Sequence, residues 1–567
     1  MIINLGPDCM IAGILKKYNI LGPRSPFDSV ITPHQSLIDC LDNKFENFCN
    51  ELNFKLYFDI QSPLNIYNIV LAHNFELMEF NYKNLKKNDF ISKVEEITKL
   101  SITDSDHSYE YYLLNINNSE QQGYILNLND KKLNIIKEKY KRRIDRFNEA
   151  MNSQELCYLY RFVNDINEMF EIKNIILKNY NNKNFKLIFI TRNINIKKFK
   201  YDIDDNFILA YNNIYTDQIN QEDFYCKMLF DIEYYNKKGS FFKNTFNKLN
   251  NNYHNNIELL INPLSMYLIA DYYYGIEPDE YNIYKNDNKN IYKNKNLILN
   301  LEDYNIIAVQ GGPKYTSDWT YNFYDDFCIN ILEKLNKKII LIIGHYALTH
   351  FINYDINFKK IIENNNVILC FMQNNGMINN FLNYDKIKSF PYGFSLNQTI
   401  MNEYVKILIN NNIDDNINNK NIILDNLNLG MSWSGRSIFP YVERTDPKIF
   451  FDKMNKAKFL ISPCGDRWDT YRNYECIGLN TIPISHKGAL SKIFSESMFY
   501  ICDDKNIYGD FYSNILDNDN DYTKMNYMCE LIKDYSVLED KYILPNKDII
   551  TLEYWKYYIN YIIKLYK

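Results

Sequence analysis

IIAVQGG (306–312), KKIILIIGHY (337–346), NVILCFMQ (366–373) and KIKSFPYGFS (386–395) decide the fold. The centres of the first three runs are mostly Ile, Leu, Val and Phe, without the polar alternation of a strand that faces water on one side, and the fourth ends a last strand. The first three therefore read as strands buried on both faces. DDFCINILEKLN (325–336) and LTHFINYDINFKKIIEN (348–364) lie between them and read as helices. Strand and helix alternate, which implies a parallel sheet with helices covering its faces. The strands run into Gly311-Gly312, Gly344-His345 and Pro391-Tyr392-Gly393. With only 17 Gly and 14 Pro in the chain, such placements carry information.

The rhythm recurs beyond the Asn-rich stretch 410–421. LNLGMSW (427–433) precedes a helix around DPKIFFDKMNKA (446–457), the strand KFLIS (458–462) and the strand TIPIS (481–485). The chain closes on an aromatic helix, TLEYWKYYINYIIKLYK (551–567). We therefore expect two Rossmann-like domains, 301–410 and 411–567, both doubly wound. Their strand carboxyl ends would face one another across a cleft that binds ligands. The terminal helix is expected to cross back onto the first of them. Upstream, 239–300 reads as a connector with helices, including ELLINPLSMYLIADYYYG (258–275). Residues 1–238 read as a separate α/β domain. It has strands at IINL (2–5), LCYLYRF (156–162) and FKLIFITR (185–192), with helices at 9–18, around 140–147 and at 170–180.

Composition excludes several classes. The 567 residues carry 64 basic and 70 acidic side chains, a formal charge of −6, with a pI near 5.8. A nucleic-acid protein would show a basic domain. No apolar run reaches ~18 residues, so no membrane span is expected, and the amino terminus lacks the pattern of a secretory signal. The 11 cysteines are scattered without CxxC pairs, which is neither a disulfide framework nor a zinc ribbon. A reducing, cytoplasmic compartment is expected, with most thiols acting as small buried hydrophobes.

The densest motif is ISPCGDRWDTYRNYECIGLNTIPIS (461–485). It reads as strand, loop, two-turn helix, strand. Asp469 is placed to cap the helix, and Gly478 to take the positive φ after it. Free amides at such a helix start suit a diphosphate. Arg467 and Arg472 could add charge-assisted contacts. Arg472 and Glu475, three apart, share a helix face, and the carboxylate could take ribose hydroxyls. A solvated ion pair on an ordinary helix has the same spacing.

This segment resembles the C-terminal signature of exostosin-like glycosyltransferases. Ser462, Pro463, Gly465, Asp469, Arg472, Glu475, Pro483 and Ile484 match in order. A glycine expected later in the helix–strand turn is Asn480 here, or is served by Gly478. The resemblance spans about 300–567 and implies a GT-B fold, two facing Rossmann-like domains with the nucleotide sugar held by the second. It implies Arg472 at the diphosphate and Glu475 at the ribose or sugar. Arg436, in SWSGRSIFPYVER (432–444), becomes a second phosphate candidate, and His486 touches the donor or caps its loop. Such enzymes need no metal, and none is expected. Amides and arginines would balance the leaving diphosphate. Asp202-Ile203-Asp204 reads as a surface loop. The base for the acceptor hydroxyl would come from His345 or Asp318, and inversion is the family expectation.

The amino-terminal block carries NLGPDCMIAGILKKYNI (4–20), RSPFDSV (24–30), LAHNF (71–75), KRRIDRF (141–147) and LCYLYRF (156–162). Cys9 follows a strand and turn at a helix start, where thiol pKa values fall. A buried core cysteine would fit the same place. These pieces, over about 1–235, resemble a family of papain-like cysteine peptidases. The resemblance implies Cys9 as nucleophile and His73 as base, with Asp28 an orienting or structural residue. It departs at Ser29, where an aromatic is expected, and at Asn74, where Asp is expected. Arg142, Arg143 and Arg146 bind an anion or lie on a solvated helix face.

The expected fold class is thus α/β, a GT-B-like pair of Rossmann-like domains preceded by a separate α/β domain. The expected activity is metal-independent transfer of a sugar from a nucleotide-sugar donor to a glycan or protein acceptor, with no cofactor. The alternatives are a cysteine hydrolase using Cys9 and His73, or a non-catalytic glycan-binding scaffold.

Overall fold

The computed structural model describes 2–6, 15–18, 22, 24–28, 32–46, 48, 55–57, 60–64, 110–114, 123–127, 130–163, 165–191 and 208–212 in a first compact unit, Met1–Tyr215. In a second unit, Thr216–Lys567, it describes 229–231, 233–234, 237, 239–251, 256–275, 291, 295–311, 323–344, 354–373, 386–410, 420, 446–462, 469–486, 499–501, 542 and 544–567. Both units are mixed α/β with parallel sheets.

In the first unit, β1 (Ile2–Asn4) is followed by α1 (His34–Asp42) and by four short strands. These are β2 (Lys55–Tyr57), β3 (Ile60–Leu64), β4 (Glu110–Leu114) and β5 (Gly123–Asn127). Then come α2 (Asp130–Asn152), β6 (Cys157–Val163), α3 (Ile166–Asn179), β7 (Phe185–Thr191) and β8 (Ile208–Asn212). β1-β6-β7-β8 form an all-parallel sheet in that order. β3-β2-β5-β4 form a separate antiparallel sheet between α1 and α2 in sequence. That sheet was not foreseen: EYYLL and GYILN show no clear period-two alternation of polar and apolar residues. The long helix α2 buries Tyr140, Arg143, Phe147, Ala150 and Met151, a stripe at helical spacing. Phe147 meets Phe45 edge-on at 5.2 Å, and the cluster continues through Leu159 and Leu187 of the sheet. At the start of α3, Asp165 accepts from the Asn167 amide at 2.9 Å.

The second unit begins earlier than the expected domain limit at 238. Helices α4 (Ser240–Asn251), α5 (Asn256–Leu259) and α6 (Ser265–Ile269) lead into β9 (Tyr272–Tyr274). The sheet continues with β10 (Asn305–Gln310), α7 (Phe323–Asn330), β11 (Ile339–Gly344), α8 (Tyr354–Glu363), β12 (Val367–Gln373) and β13 (Ile387–Phe390). Next come α9 (Gln398–Asn410), α10 (Pro447–Asn455), β14 (Phe459–Ile461), α11 (Tyr471–Gly478), β15 (Ile482–His486), β16 (Phe499–Ile501) and the terminal α12 (Leu552–Tyr566). The stretch 239–300 thus does more than connect: Tyr272–Tyr274, read from sequence as part of a helix, is the edge strand beside β10. Three consecutive tyrosines suit a strand better than a helix.

Both sheets of this unit are parallel, β13-β12-β11-β10-β9 and β14-β15-β16. Their described strands follow chain order, with no reversal among them of the kind that double winding implies; the expected strand 427–433 lies outside the described residues. With right-handed crossovers, such an order places the crossover helices on one face. Packing agrees. Ile307, Val309, Leu341, Ile343 and Met372 share a core with Phe323 and Phe327 of α7 and Phe358 of α8. The opposite face is covered from the chain's end: Phe371 lies 6.4 Å from Tyr558, and Phe390 lies 6.2 Å from Trp555, ring to ring. The terminal helix does pack on the five-stranded sheet. Its other side takes Phe230, whose ring lies edge-on 4.9 Å from Tyr558 and 5.3 Å from Tyr554. This packing, with Asp548 bonded to the amides of Gly239 and Phe242, draws residues from 229 onward into the second unit.

Cys40, Cys157, Cys328, Cys370 and Cys476 are buried free thiols, as expected of small core residues. Among the described residues no helix is long and apolar enough to cross a membrane. None of them gathers three or more His, Cys, Asp or Glu side chains able to hold a metal.

Candidate functional site

In the second unit the carboxyl ends of the two parallel sheets are tied together by one buried carboxylate. Asp469 is 1% exposed and sits between β14 and α11. It does not cap the helix, contrary to expectation. Thr470 is the N-cap, in extended conformation and without a side-chain cap bond. Asp469 instead accepts from the backbone amide of Tyr392 at 2.5 Å and from the Tyr474 hydroxyl. Tyr392 lies just past β13, so the carboxylate links that strand end to the segment after β14. The Tyr392 and Tyr471 rings add a contact at 5.4 Å. Beside them, Ser462 donates its hydroxyl to Asn473 Oδ1 at 2.7 Å and its amide to the Ile484 carbonyl at 2.8 Å.

Arg472 and Glu475 do share a face of α11, but that face is turned toward helices α9 and α10. The Arg472 guanidinium lies 5.4 Å from the Phe450 ring centre. Glu475 is 6% exposed, and burial pushes its carboxyl up to about 7, although the charge of Arg472 opposes the shift. Burial also lowers the Arg472 pKa, while Glu475 raises it. Tyr404 of α9 stands in the field of Glu475, its ring held between Phe394 at 5.0 Å and Phe451 at 5.2 Å.

Gly478 has a different role from the one expected. It is the last residue of α11, and the positive φ falls two residues later, on Asn480 at 56°. Asn tolerates that region better than most side chains, so Asn480 serves where the resemblance led us to expect glycine. Gly478 is needed for space: a Cβ there would lie 1.9 Å from the Tyr404 hydroxyl oxygen and 2.9 Å from Ile550. Gly478→Ala would gain up to about 1 kcal/mol of helix propensity, yet is expected to lose about 1–3 kcal/mol net through overpacking. Urea unfolding should show this, and Tyr404→Phe should restore part of the loss. Equal losses in both backgrounds would refute the clash.

In the first unit several pieces of the amino-terminal block converge. Gly6 (φ 84°) ends the β1 turn, and its amide donates to Asn4 Oδ1 at 3.0 Å. Ser25 donates its hydroxyl to the Asn4 carbonyl at 2.8 Å. Asp28 accepts from the Ser25 amide at 2.8 Å and from its hydroxyl at 3.2 Å. These bonds make Asp28 the brace of the 25–28 turn. Burial raises its pKa, opposed by the Ser25 bonds and the charge of Arg143. Arg161, 2% exposed on β6, donates to the Leu5 carbonyl at 2.6 Å and the Thr32 carbonyl at 3.1 Å. Arg143 donates to the Asp28 carbonyl at 3.1 Å. Of the three arginines of 142–146, Arg143 is therefore buried and structural, while Arg142 and Arg146 are exposed.

Cys9, His73, Asp318, His345, Arg436, Gly465 and Arg467 lie outside the described residues. His486 is the last residue of β15, paired with Ile501. Sequence reasoning missed Tyr392, Tyr474 and Arg161. For Tyr392 a signal existed, its position between Pro391 and Gly393 in a chain poor in both.

Residues 1–199 match the family described as putative papain-like cysteine peptidase (DUF1796). No curated protein matches the chain.

Proposed function

We propose that residues 216–567 form a glycosyltransferase of GT-B type that uses a nucleotide-sugar donor and a glycan or protein acceptor. The observation that carries this reading is the Tyr392–Asp469 bond. It joins the carboxyl ends of two parallel sheets, and ligands of α/β proteins bind at such ends. The residues of 461–485 that resemble the donor signature begin at that junction. In this reading the acceptor hydroxyl attacks the anomeric carbon, the bond to the diphosphate breaks, and a base takes the hydroxyl proton. Positive charge from Arg472, Arg467 and Arg436 balances the departing diphosphate. Arg472 must then turn from Phe450 toward the donor. The test is a thermal-shift screen of the full chain with UDP, GDP, CMP and UDP-sugars, with and without chelator. Binding only to the native state raises the melting temperature. A shift with one nucleotide, lost in Arg472→Ala and indifferent to chelator, supports the reading. No shift with any of them overturns it.

The family match over 1–199 favours a second activity for the first unit, a cysteine hydrolase with Cys9 as nucleophile and His73 as base. The convergence of Asn4, Gly6, Ser25, Asp28, Arg143 and Arg161 around the end of β1 supports it. Alkylation of Cys9 by iodoacetamide should then proceed well below the pH range of an ordinary thiol. An ordinary pH profile, unchanged in His73→Gln, would remove this assignment.

A further inference from the structure

Helix α2 carries a group of cations to which neither activity gives a catalytic part. Lys139, Arg143 and Arg146 stand at i, i+4 and i+7, which places them on one face. The loop residue Arg24 joins them: Arg146 Nη2 donates to its carbonyl at 3.3 Å, and the Arg24 charge acts on both Lys139 and Arg143. Arg143 is 3% exposed and held rigidly. Its Nη1 donates to the Asp28 carbonyl at 3.1 Å, and its guanidinium lies 5.2 Å from the Tyr140 ring centre. Its remaining N–H groups donate to no acceptor among the described residues.

Among the described residues, Asp28 is the acid whose charge acts on Arg143. No carboxylate of the described residues forms an ion pair with Arg24, Arg143 or Arg146. The Asp28 oxygens already accept from the amide and hydroxyl of Ser25. Lys139 registers the resulting field. Burial lowers it to about 8, and Arg143 and Arg24 act in the same direction. Gathering like charges on a half-buried face costs stability unless a ligand offsets it.

We propose that Arg24, Arg143, Arg146 and Lys139 form a binding site for a phosphate group. Guanidinium groups match phosphate oxygens in pairs, and one of these is already fixed before the ligand arrives. The Ser25–Asp28 turn, bonded to Asn4, borders the site, so a bound phosphate lies near the carboxyl end of β1. The phosphate could be inorganic or part of a phosphomonoester substrate of the first unit. The site does not depend on either proposed activity.

Isothermal titration of the full chain with inorganic phosphate and with glycerol phosphate, at constant ionic strength in chloride, tests the proposal. Arg24 and Arg146 are exposed, so the double variant Arg24→Gln/Arg146→Gln should keep its fold, which circular dichroism would verify. Saturable binding of at least one of the two ligands is expected, weakened tenfold or more in the double variant. Tighter binding of glycerol phosphate identifies a phosphomonoester ligand, and tighter binding of inorganic phosphate identifies the free anion. Lys139→Gln should also weaken binding while raising the melting temperature of the ligand-free protein, since it removes a like charge. No saturable heat with either ligand, or equal affinity in the double variant, overturns the proposal.

Discussion

Asp548→Ala is expected to destabilise the 216–567 unit by about 3–5 kcal/mol, because it leaves buried donors without an acceptor. The carboxylate is fully buried. It accepts from the Gly239 amide at 2.7 Å, the Phe242 amide at 2.6 Å and the Tyr234 hydroxyl. The two amides belong to the start of α4, where a negative charge also meets the helix dipole favourably. Asp548 therefore caps a helix some 300 positions away in sequence. Asp548→Asn keeps the shape and one good acceptor, so its loss should be smaller. The measurement is simple because Trp319, Trp433, Trp468 and Trp555 all belong to the second unit. Urea unfolding followed by tryptophan fluorescence reports on that unit alone. A midpoint for Asp548→Ala within experimental error of the parent would discard this account.

Glu475→Gln is expected to do the reverse and stabilise the protein at pH 8. The Glu475 carboxyl titrates near 7 when folded, against 4.5 as the ordinary value. The folded state thus holds a proton between those limits that the unfolded state has released. Stability contributed by the protonated form is complete below about pH 4.5 and is lost as pH rises toward 7. A shift of this size corresponds to roughly 3 kcal/mol. The attraction of Arg472 is already contained in it, and burial outweighs that attraction. The variant should exceed the parent in stability by up to that amount at pH 8 and approach it at pH 5. A pH-independent difference between them would contradict the buried-carboxyl account. If Glu475 also holds the donor ribose, the same variant must lose nucleotide affinity while gaining stability. A purely structural Glu475 would change stability alone.

The parallel strands at 305–310, 339–344 and 367–373 were legible because burial on both faces demands nearly unbroken apolar runs, and the strand at 387–390 from the Pro391-Tyr392-Gly393 that follows it. The helix over 552–566 was legible from its aromatic stripe. What stayed hidden depends on distant partners. Phe230, Tyr234 and Phe241 look like any other aromatic residues until Tyr554 and Tyr558 are in place beside them. Hence the unit boundary at Tyr215/Thr216 could not be read locally. Asp469 before a helix is a sound capping signal, and only the arrival of the Tyr392 amide diverts it. The Arg472–Glu475 spacing was read correctly. The side of the helix that would be covered by Phe450 and Tyr404 was not encoded in that spacing.

The clasp between α12 and residues 229–251 has a consequence for synthesis. A ribosome makes the Phe230 end first and the Tyr558 end more than 300 residues later. At about 5–20 residues per second, the aromatic surface around Phe230, Tyr234 and Phe241 waits roughly 15–60 seconds for its cover. The first unit can meanwhile fold as it emerges, since its described core is complete by Phe189. The nascent chain therefore spends most of its translation as a finished globule trailing a greasy, unfinished one, and that trailing segment is where chaperones would engage it.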